Sequence, residues 1–348
     1  MLAHATAHRL PGGWRLGIAF VVALAAAFNV AAEASDAALR GQLAQAGDWL
    51  RQNPPDGTNA TARRERMAVL QAAGDRLTAL DYRDYARSWA TNALLADRLE
   101  AQHPVLGYLR DALAAAADDI RRTRVREGLA VWFLYNMGYV FKTPCACFGI
   151  DLDGRGLERL APDLDFLLAS HEHGDHVHEP LVLAILAQGK PVVTRWFPGS
   201  LLVNQCTHLV FGEIQVRIEI GDHHYEQPRQ RDNMLMFEVD CGPAAGHAVV
   251  YHSGDNSQIK KIRSARRVDL FIPHVSVGLP IADAIRKMDP GMTFVSHVME
   301  LGHSPLPPHA WRWRYDYAFE TIRDIPERKA AVLTWGERWL VPGTSVQR

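Results

Sequence analysis

The sequence is poor in cysteine and carries almost no net charge. Four cysteines in 348 residues are too few to build a disulfide scaffold of this size. The 38 Lys and Arg residues against 39 Asp and Glu residues leave a net charge of −1, so no overall field attracts nucleic acid or an anionic membrane. A nucleic-acid-binding protein that depends on a basic surface is therefore disfavoured.

The four cysteines leave two alternatives open. Cys145 and Cys147 are separated by a single residue, which is poor geometry for a bond between them. Any disulfide would therefore link one of them to Cys206 or Cys241, and buried free thiols are the alternative.

The sequence also lacks an internal repeat of fixed period and a glycine-rich nucleotide fingerprint. These absences argue against a repeat protein and a dinucleotide-binding domain. The chain is 48% hydrophobic and 22% charged, values that exclude disorder and fibrous folds. They are typical of a globular chain that buries a substantial core.

The longest apolar stretch at the N-terminus falls short of a comfortable membrane span, which needs about 20 residues. This stretch, Leu16 to Asn29, follows Arg9 and Arg15 and precedes Ala32-Glu33-Ala34. A positive segment, a short apolar segment and an A-x-A site together are typical of an export signal. We predict a signal peptide over 1–34 and a periplasmic or secreted mature protein without a stable membrane span; anchoring by an uncleaved N-terminal segment is the alternative.

Residues 35–127 have the pattern of an α-helical accessory region. Apolar residues recur at helical spacing, as in Leu39, Leu43 and Leu50, and residues 53–57 form a strong turn cluster. The spacing predicts four or so amphipathic helices without metal-ligand motifs. Such a region is either a packed cap or a lid over a partner or substrate.

The pattern changes at Gly128, where short β-rich runs bounded by turns begin to alternate with helical stretches. The predicted strands are 130–135, 148–152, 166–169, 191–194, 216–220, 234–239, 248–252, 270–272 and 293–296. Residues 128–348 are therefore predicted to form an α/β or α+β domain.

The strongest chemical signal is a cluster of metal-ligand side chains directly after one of these strands. His171, His173, Asp175 and His176 lie within six residues. A loop that leaves the end of a strand can direct three imidazoles and a carboxylate into one pocket, and this donor set suits Zn, Fe or Mn. Packing alone does not explain such a cluster.

This H-x-H-x-D-H pattern resembles the signature of the metallo-β-lactamase-fold superfamily. Later features agree in order: His223-His224, Ser253-Gly254-Asp255-Asn256 and His297 each follow a predicted strand. The resemblance covers roughly residues 128–320. It is greatest to the branch that includes ascorbate-6-phosphate lactonase-like proteins, and residues 297–303 are similar to the H-x-x-E-L-G-H ending of zinc-dependent hydrolases in that branch.

The resemblance implies an α+β fold, a four-layer αβ/βα sandwich preceded by the helical region. It also implies two divalent metal ions, with Zn²⁺ expected and Mn²⁺ or Fe as alternatives. The implied ligands are His171, His173 and one of His223 or His224 for the first ion, Asp175, His176 and His297 for the second, and Asp255 between the two. The spacing after the preceding strand slightly favours His224 over His223.

The function implied is a binuclear hydrolase in which a hydroxide shared by the ions attacks a small ester, lactone, amide or phosphodiester. Asp175 is the candidate catalytic carboxylate that helps to steer the proton. One alternative is a mononuclear iron dioxygenase or redox member of the same fold, and another is a non-catalytic, metal-stabilised binding protein. The expected partner is a small-molecule substrate.

Several residues are expected to orient the metal ligands without binding the metal themselves. Asp151 is expected to brace the histidine loop, and His252 and His274 are expected at the pocket as core or supporting groups. Glu300 and His303 are expected to brace the loop that carries His297. The aromatic and arginine run over 311–315 is assigned to packing against the sheet, and Arg229 and Arg231 to solvated loop charges.

Overall fold

A computed structural model of the chain describes residues 36–224 and 226–347. The predicted signal peptide, 1–34, lies outside the described residues. Five helices come first in the described chain, where the spacing predicted four or so: α1 (36–52), α2 (Ala60–Gly74), α3 (Ala79–Ser88), α4 (Ala93–Gln102) and α5 (Pro104–Arg122).

Local chemistry explains where these helices begin. The Thr78 side chain accepts a hydrogen bond from the Asp81 N–H, which caps α3. Pro104 occupies the first turn of α5, where its missing N–H is not needed. The buried face of α5 is almost entirely apolar, so this helix anchors the N-terminal region on the rest of the protein.

Two seven-stranded sheets follow. The first contains, in spatial order, β15 (Arg338–Leu340), β2 (Ala130–Phe133), β3 (Tyr139–Lys142), β4 (Cys147–Ile150), β5 (Phe166–Leu168), β6 (Val192–Thr194) and β7 (Leu201–Leu202). The second contains β14 (Ala330–Ala331), β13 (Met292–Phe294), β12 (Leu270–Ile272), β11 (Val249–His252), β10 (Met234–Asp240), β9 (Ile214–Gly221) and β8 (Thr207–Phe211).

Both sheets change from antiparallel to parallel pairing part of the way across. In the first sheet the pairs from β15 to β4 are antiparallel and those from β4 to β7 are parallel. In the second, β8 to β11 pair antiparallel and β11 to β14 pair parallel. The carboxyl ends of the parallel strands in each sheet consequently share one edge.

The two sheets pack face to face through aromatic contacts. The ring centroids of Phe166 and Phe211 lie 4.3 Å apart, and those of Phe294 and Trp339 lie 5.1 Å apart. The Tyr139 hydroxyl also lies 2.5 Å from the Ser296 hydroxyl across the same interface. This interior is the main core of the molecule.

Helices cover the outer faces. Helix α6 (Glu179–Ala187) contacts β5 and β6, and the α5 residue Asp119 accepts a hydrogen bond from Trp132 of β2. On the other sheet, α7 (Ile281–Met288) connects the parallel strands β12 and β13, and α8 (Tyr315–Thr321) follows β13. The fold is α+β, with the αβ/βα layering expected from the sequence.

Each of the nine predicted strands corresponds to a strand of the structure. The additional strands are mostly short or partly exposed: both residues of β7 are exposed, and β8 has no fully buried residue. Both lie in short apolar runs, Leu201-Leu202-Val203 and Leu209-Val210-Phe211, which sequence reasoning did not identify as strands. A further strand, β1 (Arg124–Glu127), pairs with β16 (Ser345–Gln347), so the region before residue 128 is not helical throughout.

None of the helices in the described ranges combines the length and the apolar character needed to cross a membrane. All four cysteines are free thiols; Cys145 and Cys206 are exposed, and Cys147 and Cys241 are buried. The disulfide alternative is therefore absent from this structure.

Candidate metal centre

The site lies at the edge where the parallel strands of both sheets end. The loop after β5 carries the H-x-H-x-D-H residues, and His223, Asp255 and His297 lie just beyond the ends of β9, β11 and β13. These four segments are far apart in sequence. The sheet topology brings their polar side chains together around Asp255.

Asp255 is buried at the centre of the cluster. Its Oδ1 lies 3.3 Å from His176 Nε2, and its Oδ2 lies 3.3 Å from His223 Nε2. The Nε2 atoms of His171 and His297 are each 3.7 Å from Oδ2. A carboxylate with imidazoles on both oxygens is suited to lie between two cations.

Two groups of donor atoms meet at this carboxylate, besides one that includes His274. His171, His173, His223 and Asp255 form one group, and Asp175, His176 and His297 form the other. In the second group, His297 Nε2 lies 3.2 Å from Asp175 Oδ2. Both sets match the ligand groups that the sequence resemblance implied, apart from the choice between His223 and His224.

The structure places His223, and not the His224 favoured by the sequence spacing, among the donor atoms. His223 is buried and contributes a donor atom to the first group, whereas His224 does not. The ring of His224 packs on that of His223 at 4.3 Å and lines the adjoining cavity. Strand β9 extends one residue further than predicted, to Gly221, which places the earlier histidine at the centre.

Several donor atoms in the cluster are buried and have no hydrogen-bond partner. They include His171 Nε2, His176 Nε2 and Asp255 Oδ1. Buried polar atoms are normally satisfied, because leaving one unpaired costs about 1–3 kcal/mol. These three atoms point to one place and can act as metal ligands, so a divalent ion would satisfy them. Imidazole and carboxylate are ligands that Zn²⁺, Mn²⁺ and Fe accept.

The electrostatics of the site are set by this crowding. Burial, reinforced by His176, holds the pKa of His171 well below its usual range. Burial alone raises the pKa of Asp255, but the adjacent His176, His274 and His297 outweigh it and bring the pKa well below the usual range. Neutral imidazole and ionised carboxylate are the forms that bind a metal.

Asp151 braces the histidine loop, as the sequence suggested. It accepts hydrogen bonds from the Ser170 N–H and the Ser170 hydroxyl, each at 2.7 Å. Its Oδ2 also lies 3.0 Å from His176 Nδ1. That contact directs Nε2 of the same ring toward Asp255, which is how a carboxylate behind a metal-binding histidine normally acts.

Gly254 is required where the two loops meet. Its φ is +49°, and a Cβ at this position would lie 3.0 Å from Ser170 Cβ and 2.4 Å from Met234 Cε. A side chain here would both strain the backbone and push the histidine loop away. The Ser-Gly-Asp-Asn turn thus fixes the distance between Asp255 and the first motif.

Asn136 is a site residue that sequence reasoning missed. Its side-chain amide donates to the Asp175 backbone carbonyl at 3.0 Å and to Asp175 Oδ2 at 2.9 Å, and lies 3.1 Å from His297 Nε2. Its φ of 56°, like the 62° of His297, is left-handed, a conformation that asparagine adopts more readily than most residues. An Asn-Met-Gly turn after an apolar strand was the available signal.

His252 and His274 are held in defined orientations by the backbone. The Gly254 N–H donates to His252 Nδ1 at 3.2 Å, and His252 Nε2 lies 2.9 Å from the Met137 carbonyl. The Ser276 N–H donates to His274 Nδ1 at 3.0 Å. Because Nδ1 is the acceptor in each ring, the neutral ring carries its proton on Nε2.

The two histidines therefore differ in what they present to the site. His252 uses its Nε2–H on the backbone and is a structural residue. His274 Nε2 lies 3.9 Å from Asp255 Oδ2 and faces the cavity. It lies close enough to Asp255 and His297 to form a third donor group, but the Ser276 contact makes it an N–H donor in this arrangement.

Glu300 and His303 pair beneath the loop that carries His297. His303 Nδ1 lies 2.6 Å from Glu300 Oε2, and Glu300 Oε1 accepts the Gly302 N–H at 2.7 Å. Burial alone lowers the pKa of His303, but the Glu300 carboxylate raises it above its usual range. This pair stabilises the turn after His297.

The aromatic run was assigned to packing against the sheet, and this prediction is wrong for its first tryptophan. Trp311 is 54% exposed and lines a cavity of about 880 Å³ beside the donor cluster. Trp313 lines the same cavity, with its ring centroid 4.6 Å from that of His274. Arg229 and Arg231 are not among its lining residues.

No protein-family model matches the chain, and no curated protein matches it. A metal-dependent hydrolase from Veillonella parvula, described as possible, is similar with a TM-score of 0.49 and 13% identity, over 62% of this chain and 99% of the other. The metallo-β-lactamase-fold protein YhfI from Bacillus subtilis is similar with a TM-score of 0.45 and 14% identity, over 61% and 98%.

A diiron β-hydroxylase from Streptomyces venezuelae, CmlA, is also similar, with a TM-score of 0.43 and 13% identity over 64% of this chain and 54% of the other. The function proposed for this chain rests on its own residues.

Proposed function

We propose that this protein is a metal-dependent hydrolase that binds two divalent ions and acts on a small ester, lactone, amide or phosphodiester. The observation that carries the proposal is the pair of donor groups that meet at the buried Asp255 carboxylate. We propose His171, His173 and His223 for one ion, Asp175, His176 and His297 for the other, and Asp255 between them. The expected metal is Zn²⁺.

Divalent ions in such a pair supply a hydroxide at neutral pH and polarise the oxygen that becomes negative. The protein's own residues then have distinct tasks. Asp175 is oriented by Asn136 through two hydrogen bonds and is placed to hold the proton released during attack. His274 directs an N–H into the cavity, where it can stabilise a developing oxyanion.

A second set of donors supports the hydrolase over the mononuclear iron alternative. A mononuclear oxygenase needs one metal group with open positions, and Asp175, His176 and His297 would then be a second buried cluster without a purpose. The complete donor sets also argue against a protein that has lost catalysis. We propose residues 128–348 as the catalytic domain and 35–127 as an accessory region.

The test is to purify the chain, measure metals per protein by elemental analysis, and assay generic ester, lactone, amide and phosphodiester substrates. We expect two ions per chain, hydrolysis that chelation abolishes, and no substrate-dependent oxygen uptake. A single iron per chain with oxygen uptake would identify the dioxygenase alternative. Full metal loading without turnover of any of the four bond types would favour the binding protein.

A further inference from the structure

A fully buried arginine joins the N-terminal helices to one side of the cavity beside the metal centre. Arg312 has no exposed surface, and the four hydrogen bonds that the structure describes for it all go to backbone carbonyl oxygens. Two of these carbonyls, those of Gly74 and Leu77, lie at the end of α2 and in the turn that follows, at 2.6 and 3.1 Å. The other two, those of Leu301 and His303, lie in the turn after the last ligand motif, at 2.9 and 3.0 Å. Arg312 therefore holds two distant segments of the chain together.

The chemistry of arginine suits this position. The carbonyls at the end of a helix have no partner within the helix and carry partial negative charge. A guanidinium group offers five N–H donors in a rigid plane, so one side chain can satisfy the end of α2 and the turn at 301–303 together. Lysine has a single ammonium group and an apolar side chain has no donor, so neither can replace all four contacts.

The residues on either side of Arg312 line the cavity. Trp311 is exposed, and it and Trp313 both contribute to the lining. The Met299 N–H donates to the Trp313 carbonyl at 3.1 Å, which joins this segment to the turn after His297. Trp313 and Met299 both have a left-handed backbone, with φ of 42° and 59°, which residues other than glycine keep only where the surrounding structure fixes it.

The N-terminal helices pack closely on the same segment. A Cβ at Gly74, the last residue of α2, would lie 2.5 Å from Met299 Cε. A Cβ at Gly302 would lie 3.3 Å from Tyr82 Cδ1 on α3. A displacement of either helix would therefore be transmitted to this side of the cavity.

The metal ligand in this part of the chain is held by a different contact. The His297 N–H donates to the Asn136 carbonyl at 2.9 Å, and the Asn136 side-chain amide lies 3.1 Å from His297 Nε2. Asn136 follows β2 of the first sheet and does not depend on the N-terminal helices. Loss of the Arg312 contacts should consequently displace the tryptophans and leave His297 in place.

We propose that Arg312 is a positioning residue for substrate binding: through it, the end of α2 and the turn before α3 fix Trp311 and Trp313 as the surface that the substrate contacts. The inference rests on the proposed function only for the identity of the cavity as the substrate site. It gives the N-terminal helical region a role in the reaction, because the position of these helices determines the shape of the cavity.

The first experiment follows the two tryptophans directly. In a chain labelled with fluorotryptophan, Trp311→Phe and Trp313→Phe identify the fluorine resonances of the cavity residues. Arg312→Lys should shift or broaden both resonances, and Arg312→Met should do so more strongly. Arg63→Lys is the matched control and should leave both unchanged, because Arg63 is another buried arginine that ties α2 to the sandwich, about 16 Å along the helix from Gly74.

A second pair of variants leaves Arg312 intact. Gly74→Ala adds a methyl group against Met299 and should shift the Trp313 resonance through the Met299–Trp313 hydrogen bond. Gly41→Ala on α1 adds the same group where it meets no neighbouring atom of the described chain within 4 Å, and it should shift neither resonance. Alanine favours a helix more than glycine does, so both variants should fold.

Binding is measured by calorimetric titration of the metal-loaded chain with para-nitrophenylacetone. In this ketone a methylene replaces the ester oxygen of para-nitrophenyl acetate, so it cannot be hydrolysed, and its flat ring can stack on an indole. We expect Arg312→Lys to weaken binding about tenfold, the scale of one aromatic contact. The KM for para-nitrophenyl acetate should rise by the same factor with little change in kcat, and the number of metals per chain should stay at the wild-type value.

Equal effects of Arg312→Lys and Arg63→Lys on the two resonances, or of Gly74→Ala and Gly41→Ala, would overturn the proposal. So would displaced tryptophans with an unchanged affinity for the ketone, no binding of the ketone to the wild-type chain, or loss of metal from Arg312→Lys, which would place the effect at His297. A thermal melt shows that each variant is folded. Ketone binding that depends on Arg312, with no turnover of any of the four bond types, would contradict the proposed hydrolase and leave the role of Arg312 intact.

Discussion

At the scale of single residues, Asp255 should determine metal binding more than any other side chain. It contacts imidazoles of both donor groups, so Asp255→Ala would remove a proposed ligand from both proposed sites at once. We expect fewer than one ion per chain and no hydrolysis. His274→Gln should retain both ions and lose only rate, because the Ser276 N–H holds Nδ1 and leaves Nε2 as a donor.

Elemental analysis and initial rates on the two variants check this prediction. His252→Gln is a second control, because its ring is satisfied by backbone groups on both nitrogens. If Asp255→Ala kept two ions and His274→Gln lost them, the ligand set would have to be redrawn around His274.

Asp151 should influence metal affinity without touching the metal. Its carboxylate holds His176 Nδ1 at 3.0 Å and two donors of Ser170. Asp151→Asn keeps the shape but presents an amide to His176, so we expect metal affinity to fall by about 10- to 100-fold, as for other supporting carboxylates. Competition with a fluorescent chelator measures the affinity, and an unchanged affinity would mean that the loop is fixed by other contacts.

At the scale of secondary-structure elements, a buried ion pair ties α2 to the sandwich. Arg63 Nη2 lies 2.7 Å from Glu337 Oε2, and both side chains are almost fully buried. Burial raises the pKa of Glu337 to about 7 despite the guanidinium beside it. Breaking such a pair leaves an uncompensated buried charge and costs about 3–5 kcal/mol.

We therefore expect Arg63→Met to destabilise the chain, and more so at pH 8 than at pH 5. Without the guanidinium the folded pKa of Glu337 rises further above its unfolded value of 4.5. A carboxyl with a raised folded pKa costs stability as pH rises from the unfolded pKa to the folded one, and the whole cost is present above both. Denaturant melts at the two pH values measure the difference.

The control is the double variant Arg63→Met with Glu337→Leu, which removes the buried charge altogether. It should recover most of the lost stability and show no extra dependence on pH. An equal loss for Arg63→Met at both pH values would mean that Glu337 reaches solvent when its partner is removed.

Strands and site residues could be predicted from the sequence where a short stretch of residues carries the pattern that identifies them. Strands β5 and β11 are dense apolar runs and β9 alternates apolar and polar residues. All three end at ligand motifs, so their positions followed from the sequence. Strand β7 consists of only two residues, both exposed leucines, which is too short a pattern to predict a strand. The Asn-Met-Gly turn that contains Asn136 is a local signal for a turn, but the contacts of Asn136 with Asp175 and His297 join residues far apart in sequence, and no local pattern predicts them. Whether Trp311 faces the core or the cavity depends on the conformation of its loop, and tertiary packing determines that conformation.

At the scale of the whole molecule, the first expectation concerns where the protein is found. A positive segment, a short apolar segment and Ala32-Glu33-Ala34 occur together, so we expect export with cleavage before Ser35. N-terminal sequencing of the protein from a fractionated culture tests this. A cytosolic chain that still begins at Met1 would contradict it, and a membrane-bound chain with an intact N-terminus would indicate the anchor instead.

The last prediction concerns the stability of the whole fold. The proposed ligands come from the ends of β5 in one sheet and of β9, β11 and β13 in the other, so bound ions connect both sheets. An ion that binds only the folded chain stabilises it by RT ln(1 + [L]/Kd), about 4 kcal/mol at a thousand times Kd. A chelator should therefore lower the melting temperature of the whole sandwich, and added Zn²⁺ should restore it. Asp255→Ala should melt at the same temperature with and without chelator. If calorimetry found no chelator effect on a metal-loaded wild-type chain, the ions would lie outside this cluster, because ligands from both sheets cannot be released without loosening the contact between them.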